Sequence, residues 1–152
     1  TTTINALIQN ATGVSTLDMG ATSTLRTTGV VIESGKQALT IGTAANDGTL
    51  TAAAAGGLLY LTNNSSNPLT INSAIANNTS ASNVTLNGTG VTTLAGANTY
   101  TGNTAVNGGT LNISGTGSIA GLPASSVLSI NPTSGNAVVN YSSSGTSTFF
   151  AL

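Results

Sequence analysis

GANTYTGNTAVNGGTLNISG, running from Gly96 to Gly115, decides how the rest of the chain is read. Within Thr110-Leu111-Asn112-Ile113-Ser114 the alternation of period two sends Leu111 and Ile113 to one face and the three polar residues to the other, the pattern of a half-buried strand. A second short cluster, Thr104 to Val106, precedes it, and Asn107-Gly108-Gly109 between them is a corner rather than a long connection. Short strands joined by brief Asn and Gly corners at nearly even intervals predict one coil of a parallel β-solenoid.

The same texture extends in both directions. Toward the N-terminus, strand-like clusters fall at Ile4 to Ile8, Ser15 to Asp18, Thr24 to Arg26, Val30 to Ile32, Ala38 to Ile41, Thr49 to Ala52, Leu58 to Leu61, Leu69 to Ile71, Val84 to Leu86 and Val91 to Leu94. Toward the C-terminus they fall at Val127 to Ile130, Val138 to Tyr141 and Thr148 to Phe150, and no helical period intervenes anywhere. The pairs Leu39 with Ile41, Leu69 with Ile71 and Leu128 with Ile130 repeat the alternation of Leu111 with Ile113. Val91 and Leu94 break that parity, so a corner or bulge is expected within Val91-Thr92-Thr93-Leu94 if both are buried.

Sandwich strands are joined by hairpins and long Greek-key connections, whereas Leu94, Val106 and Leu111 follow one another as three faces of one turn would. The expected fold is therefore all-β, a parallel β-helix with about 20 to 25 residues per coil and about six or seven coils in a single domain over residues 1–152. Stacked at about 4.8 Å, these coils would make a rod roughly 30 Å long.

Composition excludes several classes of function. Asp18, Arg26, Glu33, Lys36 and Asp47 are the only charged residues among 152, and the net charge is -1, so no basic patch exists to grip nucleic acid or an anionic membrane surface. The content of Leu, Ile, Val and Phe, set in regular clusters, argues against a disordered chain. The longest apolar run, Ala52 to Leu61, is too short for a membrane span, which needs about 20 residues. Cysteine and histidine are absent, which removes disulfides and thiol chemistry and leaves the redox compartment open. With no basic n-region before an apolar core at Thr1, the sequence looks like a mature product or an excised segment.

Two sets of residues stand out as candidate contacts. Ile4, Leu7 and Ile8 near the start, and Phe149, Phe150 and Leu152 near the finish, form strand-like, apolar ends without the Lys, Pro or covering helix that usually protects an edge. Copies adding head to tail through these residues is the expected consequence, an open heterologous contact. Tyr60, Tyr100 and Tyr141 recur at almost equal intervals, each near two coils, and could line one edge. Stacking against sugar rings and packing at the rim of the core are both open to them, burial being the commoner service of aromatics.

Asn98-Thr99-Tyr100-Thr101-Gly102, followed by Val106-Asn107-Gly108-Gly109-Thr110-Leu111, resembles the autotransporter-associated β-strand repeat of passenger regions in large secreted bacterial proteins. The likeness is best over residues 96–115 and weaker upstream from Asn67 to Leu94. It implies a right-handed parallel β-helix, export to the bacterial cell surface, and roles in adhesion, aggregation or biofilm. No segment resembles the membrane β-barrel that completes an autotransporter. Asn103 stands where the repeat often has Gly, a change a corner tolerates because Asn accepts left-handed geometry.

Catalytic and metal chemistry find little material. Asp18, Glu33 and Asp47 supply all the carboxylates, at separations that fall short of one coil, and Glu33 with Lys36 reads as a surface ion pair. The Gly-Gly-x-Gly-x-Asp calcium repeat is absent, and Asp47-Gly48 alone reads as a turn. Thr22/Thr24, Thr49/Thr51, Thr99/Thr101 and Thr146/Thr148 recur too irregularly for an ice-binding array. Sequons at Asn10, Asn83, Asn87 and Asn112 read as turn and ladder residues, with Asn87-Gly88 and Asn107-Gly108 at corners that need positive φ. No enzyme activity, cofactor or metal is expected. An extracellular structural protein that stacks into a fibre is, with itself as partner; the alternative is an excised passenger fragment that binds glycans or host surfaces as a monomer.

Overall fold

The computed structural model describes residues 1–116, 119, 126–133 and 135–144. Fourteen strands are formed among them and no helix: β1 (Thr2–Gln9), β2 (Ser15–Leu17), β3 (Thr24–Ile32), β4 (Leu39–Ile41), β5 (Thr49–Ala52), β6 (Leu58–Asn63), β7 (Leu69–Ile71), β8 (Ala74–Ala76), β9 (Asn83–Gly88), β10 (Val91–Leu94), β11 (Thr104–Val106), β12 (Gly109–Ile113), β13 (Leu128–Ile130) and β14 (Ala137–Tyr141). Every pairing between them is parallel, each strand lying beside its counterpart one turn later. A sandwich would need antiparallel neighbours, and the one antiparallel bridge among the described residues is the isolated pair Asn78 with Ser80.

Two sheets enclose the interior. The smaller runs β2, β4, β7, β10, β12, β14. The larger forks at β3: Thr24 to Thr27 pair with β5, which continues to β8, while Gly29 to Ile32 pair with β6, which continues through β9 and β11 to β13. Two expected strand clusters, Thr24 to Arg26 and Val30 to Ile32, are thus one strand bent between its halves. Thr27, fully buried at the bend, donates its hydroxyl to the carbonyls of Asn5 and Gly29 at 3.1 and 3.0 Å and accepts from the Gly29 N–H at 3.3 Å. β8 is not legible in the sequence, because Ala74-Ile75-Ala76 offers one large apolar residue. Thr148 to Phe150 lies outside the described residues.

The inward columns follow the pairing register. Leu17, Ile41, Ile71, Leu94, Ile113 and Tyr141 stack in the smaller sheet, one to a turn and at uneven intervals along the chain. Among the described residues these make five turns rather than the six or seven expected, because the steps from Ile41 to Ile71 and from Ile113 to Tyr141 take up more chain than an average coil. Leu25, Leu50 and Ile75 stack at equal intervals, and the backbone N–H groups of Thr99 and Tyr100 bond the Ile75 carbonyl at 2.7 and 3.2 Å, so Tyr100 extends that column. A third column passes from Leu7 through Val30, Leu61, Leu86 and Val106 to Ile130. Most of these aliphatic side chains are sealed from water and form one core along the axis.

Two local expectations are corrected. Leu94 and Leu111 lie in the same sheet, so the third face between them is the segment at Tyr100, with Val106 on the other limb. Val91 to Leu94 is a regular strand without a bulge: Thr92 faces inward between Leu69 and Leu111, 3% exposed, and Val91 points outward. A threonine in the core column carries the parity that the apolar residues alone do not.

Candidate functional site

The outer surface of the solenoid is built from the polar half of each alternation. On the smaller sheet Thr16, Thr40, Thr70 and Thr93 stand in register, followed by Asn112 and Asn140. Asparagine amides link successive coils: Asn140 Nδ2 donates to Asn112 Oδ1 at 2.9 Å, and Asn107 Nδ2 to Asn87 Oδ1 at 3.1 Å. Corner asparagines do the same through the backbone, Asn83 Oδ1 accepting from the Asn103 N–H at 2.8 Å and Asn103 Oδ1 from the Val127 N–H at 2.9 Å. Asn103 is therefore a ladder residue; the described non-glycine residues with positive φ are Asn46 and Thr79, so it does not use left-handed geometry. Of the two Asn-Gly corners, Gly88 has φ +95°, whereas in the second the left-handed residue is Gly109, at +71°, one position later than expected.

The three tyrosines do not share an edge. Tyr60 projects from the outer face of β6 and is 41% exposed. Tyr100 is fully buried, its hydroxyl 2.7 Å from Thr104 Oγ1, and burial pushes its pKa up to about 12 against the milder opposite pull of that hydrogen bond. Tyr141 ends the inward-register column of the smaller sheet on β14 and is exposed there, at 40%. Tyr60 presents its ring outward from the middle of the solenoid, and Tyr141, almost as exposed, lies on the last described strand.

At the first coil, Ile4 and Leu7 are half-buried against the core and Ile8 is exposed. β1 pairs with β3 along one edge, and among the described residues no strand pairs with its other edge. Phe149, Phe150 and Leu152 lie outside the described residues.

The ionisable groups serve turns. Asp18 Oδ1 accepts from the Gly20 N–H at 3.1 Å. Asp47 Oδ2 accepts from the Thr43 N–H at 2.7 Å and the Thr43 hydroxyl at 3.0 Å. The Thr43 N–H is the main cause holding the Asp47 carboxyl below its usual range; burial opposes it, and the Thr43 hydroxyl and Met19 N–H add to it. That Met19 contact brings Asp47 beside the corner that carries Asp18, closer than their sequence separation suggested, but no group of three His, Cys, Asp or Glu able to hold a metal exists among the described residues. Lys36 and Glu33 close a turn through their backbone at 3.1 Å, and their side chains form no ion pair among the described residues.

The described residues thus form a parallel β-solenoid whose coils are joined by glycine corners and asparagine ladders. Residues 84–113 match the family model of the passenger-associated-transport-repeat. That stretch spans β9 to β12, more than one full turn, and includes the step from Leu94 to Ile113, the tightest of the five. No curated protein and no solved structure matches the chain.

Proposed function

We propose that this chain is an extracellular structural segment of a bacterial passenger-type protein, a right-handed solenoid whose coils stack into a fibre or adhesive stalk at the cell surface. The hand follows from the strong general preference of parallel crossovers. The repeat at residues 84–113 supports secretion, since it is a repeat of transported passengers. The observation that carries the assembly reading is the edge of β1 that no strand pairs with among the described residues, eight residues long and including the exposed Ile8, a template for a further parallel strand. Copies add head to tail, the final residues Phe149, Phe150 and Leu152 packing on Ile4, Leu7 and Ile8 of the next copy, in the service of surface adhesion or a biofilm matrix.

Electron microscopy of the purified protein tests this. Continuous filaments that disappear when residues 149–152 are deleted, or when Ala6→Pro blocks the edge of β1, are expected; normal filaments from both variants would refute the head-to-tail contact. The second reading, a passenger fragment that binds glycans or host surfaces as a monomer, is favoured by the exposed ring of Tyr60. It predicts short isolated rods in the same images.

A further inference from the structure

We propose that the outer face of the larger sheet around Tyr60 is a binding site for a neutral saccharide; this rests on the second reading above and narrows it to one place. The register puts Gly29 of β3 beside Tyr60 on one side and Thr85 of β9 on the other, with Ala105 beyond. Gly29 is buried and Thr85 only 9% exposed on either side of Tyr60, and neither Gly29 nor Ala105 raises a bulky side chain, so the 41%-exposed phenol ring offers an apolar platform for the C–H face of a pyranose.

Hydrogen-bonding groups lie at the matching distance. Thr62, two residues on from Tyr60, points to the same side, and the next outward position along the sheet is Asn87, paired with Asn107 one coil further. From strand spacing and rise, Asn87 lies about 8 Å diagonally from Tyr60, within reach of a saccharide stacked on the ring. Because Asn107 Nδ2 donates to Asn87 Oδ1, the other half of each amide is left over: Asn87 Nδ2 as donor and Asn107 Oδ1 as acceptor, neither bonded among the described residues. A donor and an acceptor side by side match two neighbouring hydroxyls of one sugar. The outward positions flanking Tyr60, from Gly29 to Asn107, include no acid or base, so a carboxylated or sulfated sugar would lose hydration without gaining a counter-charge. An uncharged glycan fits on both counts.

Titration of the whole chain with cellohexaose, maltohexaose, mannohexaose and the chitin hexamer, followed by amide NMR shifts, tests the site, with an alginate hexamer as the acidic comparison. At least one neutral probe is expected to bind and to shift amides around Tyr60. Tyr60→Ser should weaken it tenfold or more, Tyr60→Phe should hold it within about threefold, and Asn87→Ala should weaken it several-fold; Thr40→Ala, on the other sheet, should change nothing. Far-UV circular dichroism confirms that each variant is folded. Failure of every neutral probe, or preference for alginate, would overturn the proposal. Neutral-glycan binding that survives Tyr60→Ser would overturn this site while leaving a glycan-binding passenger standing.

Discussion

The hydroxyl oxygen of Tyr100 lies 2.7 Å from Thr104 Oγ1, and both residues are sealed from solvent. Tyr100 continues the column that earlier turns fill with Leu25, Leu50 and Ile75, so a ring replaces an aliphatic chain where the turn shortens, and its polar tip finds a partner on β11. Removing only one partner strands the other in a dry interior. Thr104→Val is expected to destabilise by about 1 to 3 kcal/mol, Tyr100→Phe by somewhat less, and the double variant by less than the sum. Urea unfolding of the four proteins gives the coupling; strict additivity would show that the hydrogen bond contributes nothing.

The same burial makes stability sensitive to alkali. Since the folded chain holds the Tyr100 proton up to about 12 and the unfolded chain releases it near 10, the contribution is complete below pH 10 and is lost as the pH rises toward 12. The loss attributable to this group is on the order of 2 kcal/mol. Urea midpoints measured from pH 8 to 12 should therefore fall more steeply for the native chain than for Tyr100→Phe. Parallel curves would contradict the burial argument.

How much of this could be read from the residues depends on what each residue faces. Thirteen of the fourteen strands among the described residues are legible, most clearly where Leu, Ile and Val at alternate positions announce an inward face, as in Leu69-Thr70-Ile71 and Leu111-Asn112-Ile113. β8 escapes because its flanking alanines carry little signal, and Thr92 misleads because threonine reads as an outward residue although here it fills a core position. The tyrosine spacing fails for a geometric reason: the turn from Ile41 to Ile71 is much longer than the turn from Leu94 to Ile113, so even intervals do not keep phase and carry Tyr60, Tyr100 and Tyr141 to three different faces. The surface around Tyr60 is beyond sequence reading, because the pairing that sets Asn87 against Asn107 is a matter of register.

Glycine in the best-matched repeat is required by contact between coils. A Cβ placed on Gly102 would lie 2.2 Å from the carbonyl oxygen of Ser82, the same oxygen that accepts the Gly102 N–H at 3.1 Å, so the corner could not keep both its hydrogen bond and a methyl group. Gly102→Ala is expected to cost about 1 to 3 kcal/mol as the coils are forced apart. Gly13→Ala is the control: a Cβ there meets nothing within 4 Å, and it should change stability by less than about 0.5 kcal/mol. Thermal and urea unfolding of the pair checks the difference, and equal stability would mean that the corner stacks with room to spare.

Asparagine ladders differ in worth according to where they stand. Asn63 is fully buried; its Nδ2 donates to the carbonyls of Asn67 and Val91 at 2.9 and 2.8 Å, and its Oδ1 accepts from the Ser65 N–H at 2.9 Å. One side chain thus satisfies the backbone of its own corner and of β10 in the next turn, where water cannot substitute. Asn112 with Asn140 forms a comparable amide pair at 2.9 Å on the exposed face, where water can. Asn63→Ala should therefore destabilise by about 2 to 3 kcal/mol, and Asn112→Ala by less than about 1 kcal/mol. Hydrogen exchange locates the effect: Asn63→Ala should speed exchange of the Ser65 amide, whose N–H the Asn63 Oδ1 accepts, whereas Asn112→Ala should leave it protected. If the two substitutions cost the same, the corner would owe its stability to the exposed ladders rather than to the buried amide.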